Sequence, residues 1–200
     1  MVKGRLEAFS DGVMAIIITI MVLEFRPPTG EELSALQSLL PVFESYVLSF
    51  TFLGIYWNNH HHLLHTARHV NGAILWANLH LLFWLSLIPF VTSWMGEHFL
   101  SPLPVALYGV VLLFAGVAYY ILSRSLIRHH GKDSALGNAV GRDFKGIVSI
   151  IVYAVAIPLS FLYSLAAYIL YIVVAIMWIV PDTRIEKTLR NEETGHTSKP

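Results

Sequence analysis

The sequence predicts an all-α membrane protein with six transmembrane helices. Three observations carry that expectation: a composition poor in charge, apolar runs long enough to cross a bilayer, and Lys and Arg sorted to one side of those runs. Apolar residues make up 56% of the 200 residues and charged residues 13%, against about 25% charged in a soluble domain. An aromatic share of 12% excludes a disordered chain. The formal net charge of zero leaves no basic excess for phosphates, so no nucleic-acid partner is expected. With no cysteine, the chain has no disulfide framework, thiolate metal site or cysteine nucleophile.

A helix crossing the ~30 Å hydrocarbon core needs about 20 mostly apolar residues. The first span is expected over 7–25, stopped by Arg26, Pro27 and Pro28. Asp11 and Glu24 within it, and the lack of a small-residue cleavage site, argue against a cleaved signal peptide. The second runs over 41–64, the third over 72–95 and the fourth over 103–127. The apolar stretch Ile147–Val180 holds no charge. At 1.5 Å per residue it would make one helix of roughly 50 Å, too long for a single crossing. Divided near Tyr163–Leu165, it supplies the fifth and sixth spans, 142–163 and 165–180, with Pro158 and Ser164 at the bend. Residues 1–181 thus form one transmembrane domain, followed by a polar tail over 182–200.

With both termini cytoplasmic, every Lys and Arg except Arg26 falls on the inner side, as the positive-inside rule requires. A single span in place of the last two would put the basic tail outside. Trp94, Phe99 and Trp178 near span ends suit an interfacial aromatic belt in contact with membrane lipid.

Polar residues inside spans are functional candidates by default. Glu7 and Asp11 stand four apart on one helix face near the cytoplasmic end. Asp11 needs donors, because an unpaired carboxylate there is costly. Arg5, Trp57, Asn58, Asn59, His60, His61, Asn78 and His80 are the candidates. A polar clamp between the first three spans, an ion-access role and a proton relay all remain open for it. Ile16, Thr19, Ile20 and Leu23 recur at i, i+3, i+4 and i+7 and share one face. Such a face serves ordinary packing, or a hydrophobic constriction that gates by dewetting.

Trp57-Asn58-Asn59-His60-His61-His62, followed by His65 and His69, is the sharpest local cluster. Histidines at i, i+4 can hold Zn²⁺ on a helix. The only other pair, His129-His130, lies in a basic segment, and no His-Glu-x-x-His occurs. A metal enzyme is therefore disfavoured, no catalytic or metal-ligating residues are assigned, and Zn²⁺ is expected to be adventitious at most. Pro89 in the third span frees a backbone carbonyl that a neighbour must satisfy. Gly-x-Ser-x-Gly, Ser-x-x-Lys with its partners, the phosphate-binding Gly-x-x-x-x-Gly-Lys loop and the Thr-Val-Gly-Tyr-Gly filter of ordinary potassium channels are absent.

Arg5-x-x-x-Phe9-Ser10-Asp11 followed by Gly12-Val13-Met14-Ala15-Ile16 and Leu23-Glu24 resembles the first-span signature of the transmembrane protein 175 family. These are prokaryotic relatives of the lysosomal potassium channel. Trp57-x-x-His60-His61, Asn78 and Leu87-Ile88-Pro89-Phe90-x-Thr92 continue the likeness through the third span. The resemblance implies a homotetramer in a bacterial inner membrane, with four first helices around one pore that passes K⁺ with modest preference over Na⁺ and needs no cofactor. It places the hydrophobic gate on Ile16 with Ile20 and Leu23 as further rings, and the selectivity ring on Thr19. It assigns Arg5, Phe9, Ser10 and Asp11 a structural role, bonded to Trp57, His60, His61 and Asn78. Glu24, Glu31 and Glu32 would attract cations at the outer mouth. The alternative is a proton- or cation-coupled transporter using Asp11 and His60–His62. It calls for an ionisable group near the midplane and an internal repeat, and the sequence shows neither.

Overall fold

The computed structural model describes residues 3–28, 30–65, 67, 69–131 and 143–179. The predicted tail over 182–200, the end of the sixth span at Val180, and the basic residues Arg68, Lys132 and Arg142 lie outside the described residues. Within them the chain is helical: α1 (Lys3–Leu23), α2 (Leu33–Gln37), α3 (Leu40–His65), α4 (Gly72–Ser86), α5 (Ile88–Glu97), α6 (Pro102–His130), α7 (Phe144–Ser160) and α8 (Ser164–Ile179). No strand occurs among the described residues.

Lys3–Leu23, Gly72–Glu97 and Pro102–His130 are long and apolar enough to cross a membrane, and Phe144–Ser160 and Ser164–Ile179 are shorter apolar helices. These apolar helices make it a membrane protein. Leu40–His65 is long but ends in a run of Asn and His that lowers its hydropathy.

The third predicted span is two helices end to end. The break falls at Leu87, because Pro89 at the start of α5 has no N–H to continue the ladder. The Leu87 amide turns back to the Trp84 carbonyl at 3.2 Å, a tighter turn that closes α4. The last apolar stretch folds back on itself at 161–163. There the Tyr163 amide bonds the Leu159 carbonyl at 2.7 Å, and the Ser164 hydroxyl donates to the Ser160 carbonyl at 2.8 Å. Asp143 caps the start of α7, its Oδ1 accepting from the Gly146 amide at 2.9 Å.

α6 is the central post, packed against α4, α5, α7 and α8. Val105, Tyr108, Leu112, Ala115, Ala118 and Leu122 are fully buried along it, at the three- and four-residue spacing of one helix face. Gly109 lets α8 approach closely, since a Cβ there would collide with the Tyr171 hydroxyl, which donates to the Val105 carbonyl at 3.1 Å. α1 lies at the side of this bundle and touches α3, α4 and α5.

Candidate pore face and polar clamp

α1 has two unlike sides. Leu6, Ser10, Met14, Ile17 and Met21 are buried and face α3, α4 and α5. On the other side Ile16 is 59% exposed, Ile20 41% and Leu23 79%, and Thr19 between them is exposed as well. Among the described residues no helix packs over that stripe. Leaving so much isoleucine and leucine uncovered means that the stripe meets lipid, another chain or a pore.

Thr19 closes its own donor. Its hydroxyl gives its proton to the Ile16 carbonyl at 2.8 Å, so the oxygen lone pairs are what it can offer to anything beside the helix. Next to the stripe runs a cleft of about 610 Å³ between α1 and α5. Val13, Ile16, Ile17 and Ile20 line one wall, Pro89, Phe90 and Trp94 the other, with Glu24 and Glu97 also contributing. Ser93 donates to Glu24 Oε2 at 3.2 Å, tying the end of α1 to α5.

The buried side is held by a hydrogen-bond chain whose directions follow from donor chemistry. The Ser10 hydroxyl donates to the Leu6 carbonyl at 2.8 Å. With its proton used, Ser10 Oγ accepts from Asn78 Nδ2 at 2.9 Å. Asn78 Oδ1 can only accept, so His60 Nε2 carries the proton that meets it at 2.7 Å. Ser10, His60 and Asn78 are all buried. The chain joins α1, α3 and α4 through three side chains, none of them charged.

Asp11 stands one residue further round the helix and is exposed. It accepts the Trp57 indole N–H at 3.1 Å, and His61 stacks on Trp57 with ring centroids 6.2 Å apart. The expected group thus divides into a buried chain (Ser10, Asn78, His60) and an exposed one (Asp11, Trp57, His61). Arg5 and Phe9 join neither; both are exposed on α1, turned from α3 and α4 by the same helical rotation that buries Leu6 and Ser10. Lys3 instead makes the local ties at this end. It pairs with Glu7 at 3.5 Å and donates to the His65 carbonyl at 3.0 Å.

A second buried chain escaped the sequence reading. The Thr92 hydroxyl donates to the Ile88 carbonyl at 2.6 Å. Ser49 Oγ lies 2.7 Å from Thr92 Oγ1 and 2.9 Å from the Tyr108 hydroxyl. Since Thr92 has spent its proton, Ser49 donates to Thr92 and Tyr108 donates to Ser49. This links α3, α5 and α6 just beyond the Leu87 break. Thr92 is visible in sequence as a polar residue in the third span, but Ser49 and Tyr108 carry no signal that separates them from other serines and tyrosines.

The histidine run does not converge. The His61 and His65 rings are 6.0 Å apart on one helix face. Among the described residues no three His, Asp or Glu side chains are placed to hold a metal ion.

Comparison with known proteins places this arrangement. The sequence profile of the endosomal/lysosomal potassium channel TMEM175 matches residues 5–89, the segment that contains the α1 stripe and the buried clamp. A potassium channel of Chryseobacterium sp. strain P1-3 is 54% identical over 190 residues, 95% of this chain and 99% of that protein. A potassium channel of Streptomyces collinus is 33% identical over 134 residues, 63% of this chain and 65% of that one. The structure superimposes with a TM-score of 0.77 on the crystal structure of a lysosomal potassium-selective channel TMEM175 homologue from Chamaesiphon minutus. That match has 28% identity and covers 89% of this chain and 96% of the other. With the family profile matching residues 5–89 and a relative over half identical across nearly the whole chain, the chain belongs to the TMEM175 family.

Proposed function

We propose that the protein is a potassium-permeable channel, passing K⁺ passively with modest preference over Na⁺, and not an enzyme. The observation that carries this reading is the unpartnered stripe of α1. One helix cannot enclose a pore, so a single lining helix per chain calls for several copies around one axis. A homotetramer puts four copies of Ile16, Thr19, Ile20 and Leu23 around that axis. The names of the relatives, potassium channels in two bacterial genera, support the permeant ion.

In this reading the ring of Ile16 is the hydrophobic gate. A narrow isoleucine ring leaves an ion without water or ligands, which is costly, and a wider one admits a hydrated ion. K⁺ sheds water more readily than Na⁺, so a weakly ligating pore still prefers it. Four Thr19 oxygens, their protons turned to the backbone, add weak ligands beside the gate. Ile20 and Leu23 form further rings, and Glu24 with Glu31 and Glu32 draws cations to the outer mouth. The buried Ser10–Asn78–His60 chain keeps α1 from rotating, so that the stripe stays on the axis.

The chain sits in a bacterial inner membrane among lipid, with six spans and both termini cytoplasmic. The placement of the described basic residues on α1, the C-terminal end of α6 and the start of α7 supports that orientation. The channel needs no resident cofactor, and Zn²⁺ at the histidine run is adventitious.

The deciding experiment is flux from liposomes holding the purified protein. K⁺ should pass faster than Na⁺ without ATP and without a counter-transported ion. Saturable, strictly coupled exchange refutes the channel and favours a transporter that uses Asp11 and His60–His62.

A further inference from the structure

The histidine pair that ends α6 takes no part in the α1 stripe or its clamp. His130 Nδ1 stands 2.9 Å from the Leu126 carbonyl. A carbonyl only accepts, so Nδ1 carries the proton. Nε2 is then a bare lone pair, and it accepts the backbone N–H of His69 at 3.2 Å. His129 repeats the pattern. Asn71 caps α4, its Oδ1 accepting from the Ile74 amide at 3.0 Å. That choice turns the amide NH₂ of Asn71 toward His129 Nδ1 at 3.2 Å, where the ring must accept. Both bonds run from the segment that leads into α4 to an imidazole lone pair, and both require a neutral ring.

That segment opens the helix carrying Asn78, the middle member of the clamp on α1. We propose that His129 and His130 form a proton-sensitive latch. Neutral, they hold the α3–α4 connection against the end of α6; protonated, they release it and loosen the helix that positions α1.

The chemistry fixes the sign. Protonation puts an N–H where the lone pair was, facing another N–H, so the bond becomes a repulsion. The latch therefore holds while both rings are neutral and opens as pH falls. Arg128 stands on the same last turn of α6. The contacts of the pair with the other elements run to His69 and Asn71. His69 belongs to the connection itself. His65 ends α3, and its carbonyl takes the bond from Lys3, which on α1 is paired with Glu7.

The latch stands on local geometry, whereas its effect on K⁺ flow rests on the channel reading, so the test reads the two apart. Hydrogen–deuterium exchange over 69–75 is measured on the full chain at about pH 7.5 and about pH 5.5, corrected for the intrinsic rate. Acid should lower protection there by roughly threefold or more. The double variant His129→Gln with His130→Gln keeps an acceptor oxygen at each position and does not titrate, and it should show no such loss. Asn71→Asp keeps the helix cap but faces His129 with a carboxylate, which prefers the protonated ring. Its acid loss should be smaller than that of the natural sequence. Equal acid loss in the natural and double-Gln chains, or no loss in the natural chain, overturns the latch. In liposomes, K⁺ flux should fall with pH in the natural chain and not in the double-Gln variant. Flux insensitive to pH while the segment opens overturns the coupling to α1. A chain that passes no K⁺ while its protection responds as stated upholds the latch and refutes the channel.

Discussion

Asn78 Nδ2 donates to Ser10 Oγ at 2.9 Å, joining α4 to α1 between two fully buried side chains. Asn78 also accepts from His60, so it is the single residue that satisfies both neighbours. Asn78→Leu removes both bonds: it orphans the buried His60 N–H, at about 1–3 kcal/mol, and leaves Ser10 Oγ only its donation to the Leu6 carbonyl. Ser10→Ala orphans only the amide of Asn78 and should cost less. Thermal unfolding in detergent measures both, and equal losses would show that the chain is not held through Asn78.

Ile16→Asn should raise basal flux and lower the preference for K⁺, because an amide wets the constriction. Flux and the K⁺/Na⁺ ratio in liposomes read both effects. If neither moves, the constriction lies elsewhere on the stripe.

Thr19→Val keeps the shape of the side chain but removes the oxygen. Preference for K⁺ should fall with little change in stability, since the lost bond is an exposed one to the helix's own backbone. An unchanged selectivity would take Thr19 out of the ion path.

Asp11 and Trp57 meet through one exposed bond of 3.1 Å. Asp11→Ala and Trp57→Phe should each remove that bond, and the double variant should lose less than the sum. The coupling energy should be about 1 kcal/mol, as befits a charge-assisted but solvated contact. Strict additivity would show that the two residues act independently. Asp11→Asn keeps an acceptor oxygen, and should lower the yield of the proposed tetramer more than it changes selectivity.

Elemental analysis after mild chelation should find Zn²⁺ well below one ion per chain, with flux unchanged by its removal. Stoichiometric, retained metal would reopen the histidine run as a site.

Much of the architecture is legible in the chain itself. The 3.6-residue period places Ile16, Thr19, Ile20 and Leu23 on one side of α1 whatever the fold, because residues on one helix keep their angular relation. Pro89 announces a break, and the length of Ile147–Val180 demands a turn, for reasons of backbone hydrogen bonding and reach alone. What periodicity leaves open is which side of α1 is covered. That depends on how α1 is rotated against α3, α4 and α5, and only packing decides it: Leu6, Met14, Ile17 and Met21 go inward, and the stripe stays free.

The same rotation sorts the signature residues. Ser10 and Asp11 are neighbours in sequence, but a turn of about 100° between them sends one into a buried chain and the other to the surface. Arg5 and Phe9 leave the clamp for the same reason. Partners such as Ser49 with Tyr108, or Asn71 with His129, are brought together from distant helices. Local sequence carries no information on such pairs, because the distance between two helices is set by the side chains packed between them. The sequence alone therefore determined the helices, the stripe and the chemical types available. The tertiary structure decided which groups meet, since a hydrogen bond needs its two atoms within about 3 Å and only the packed bundle supplies that precision.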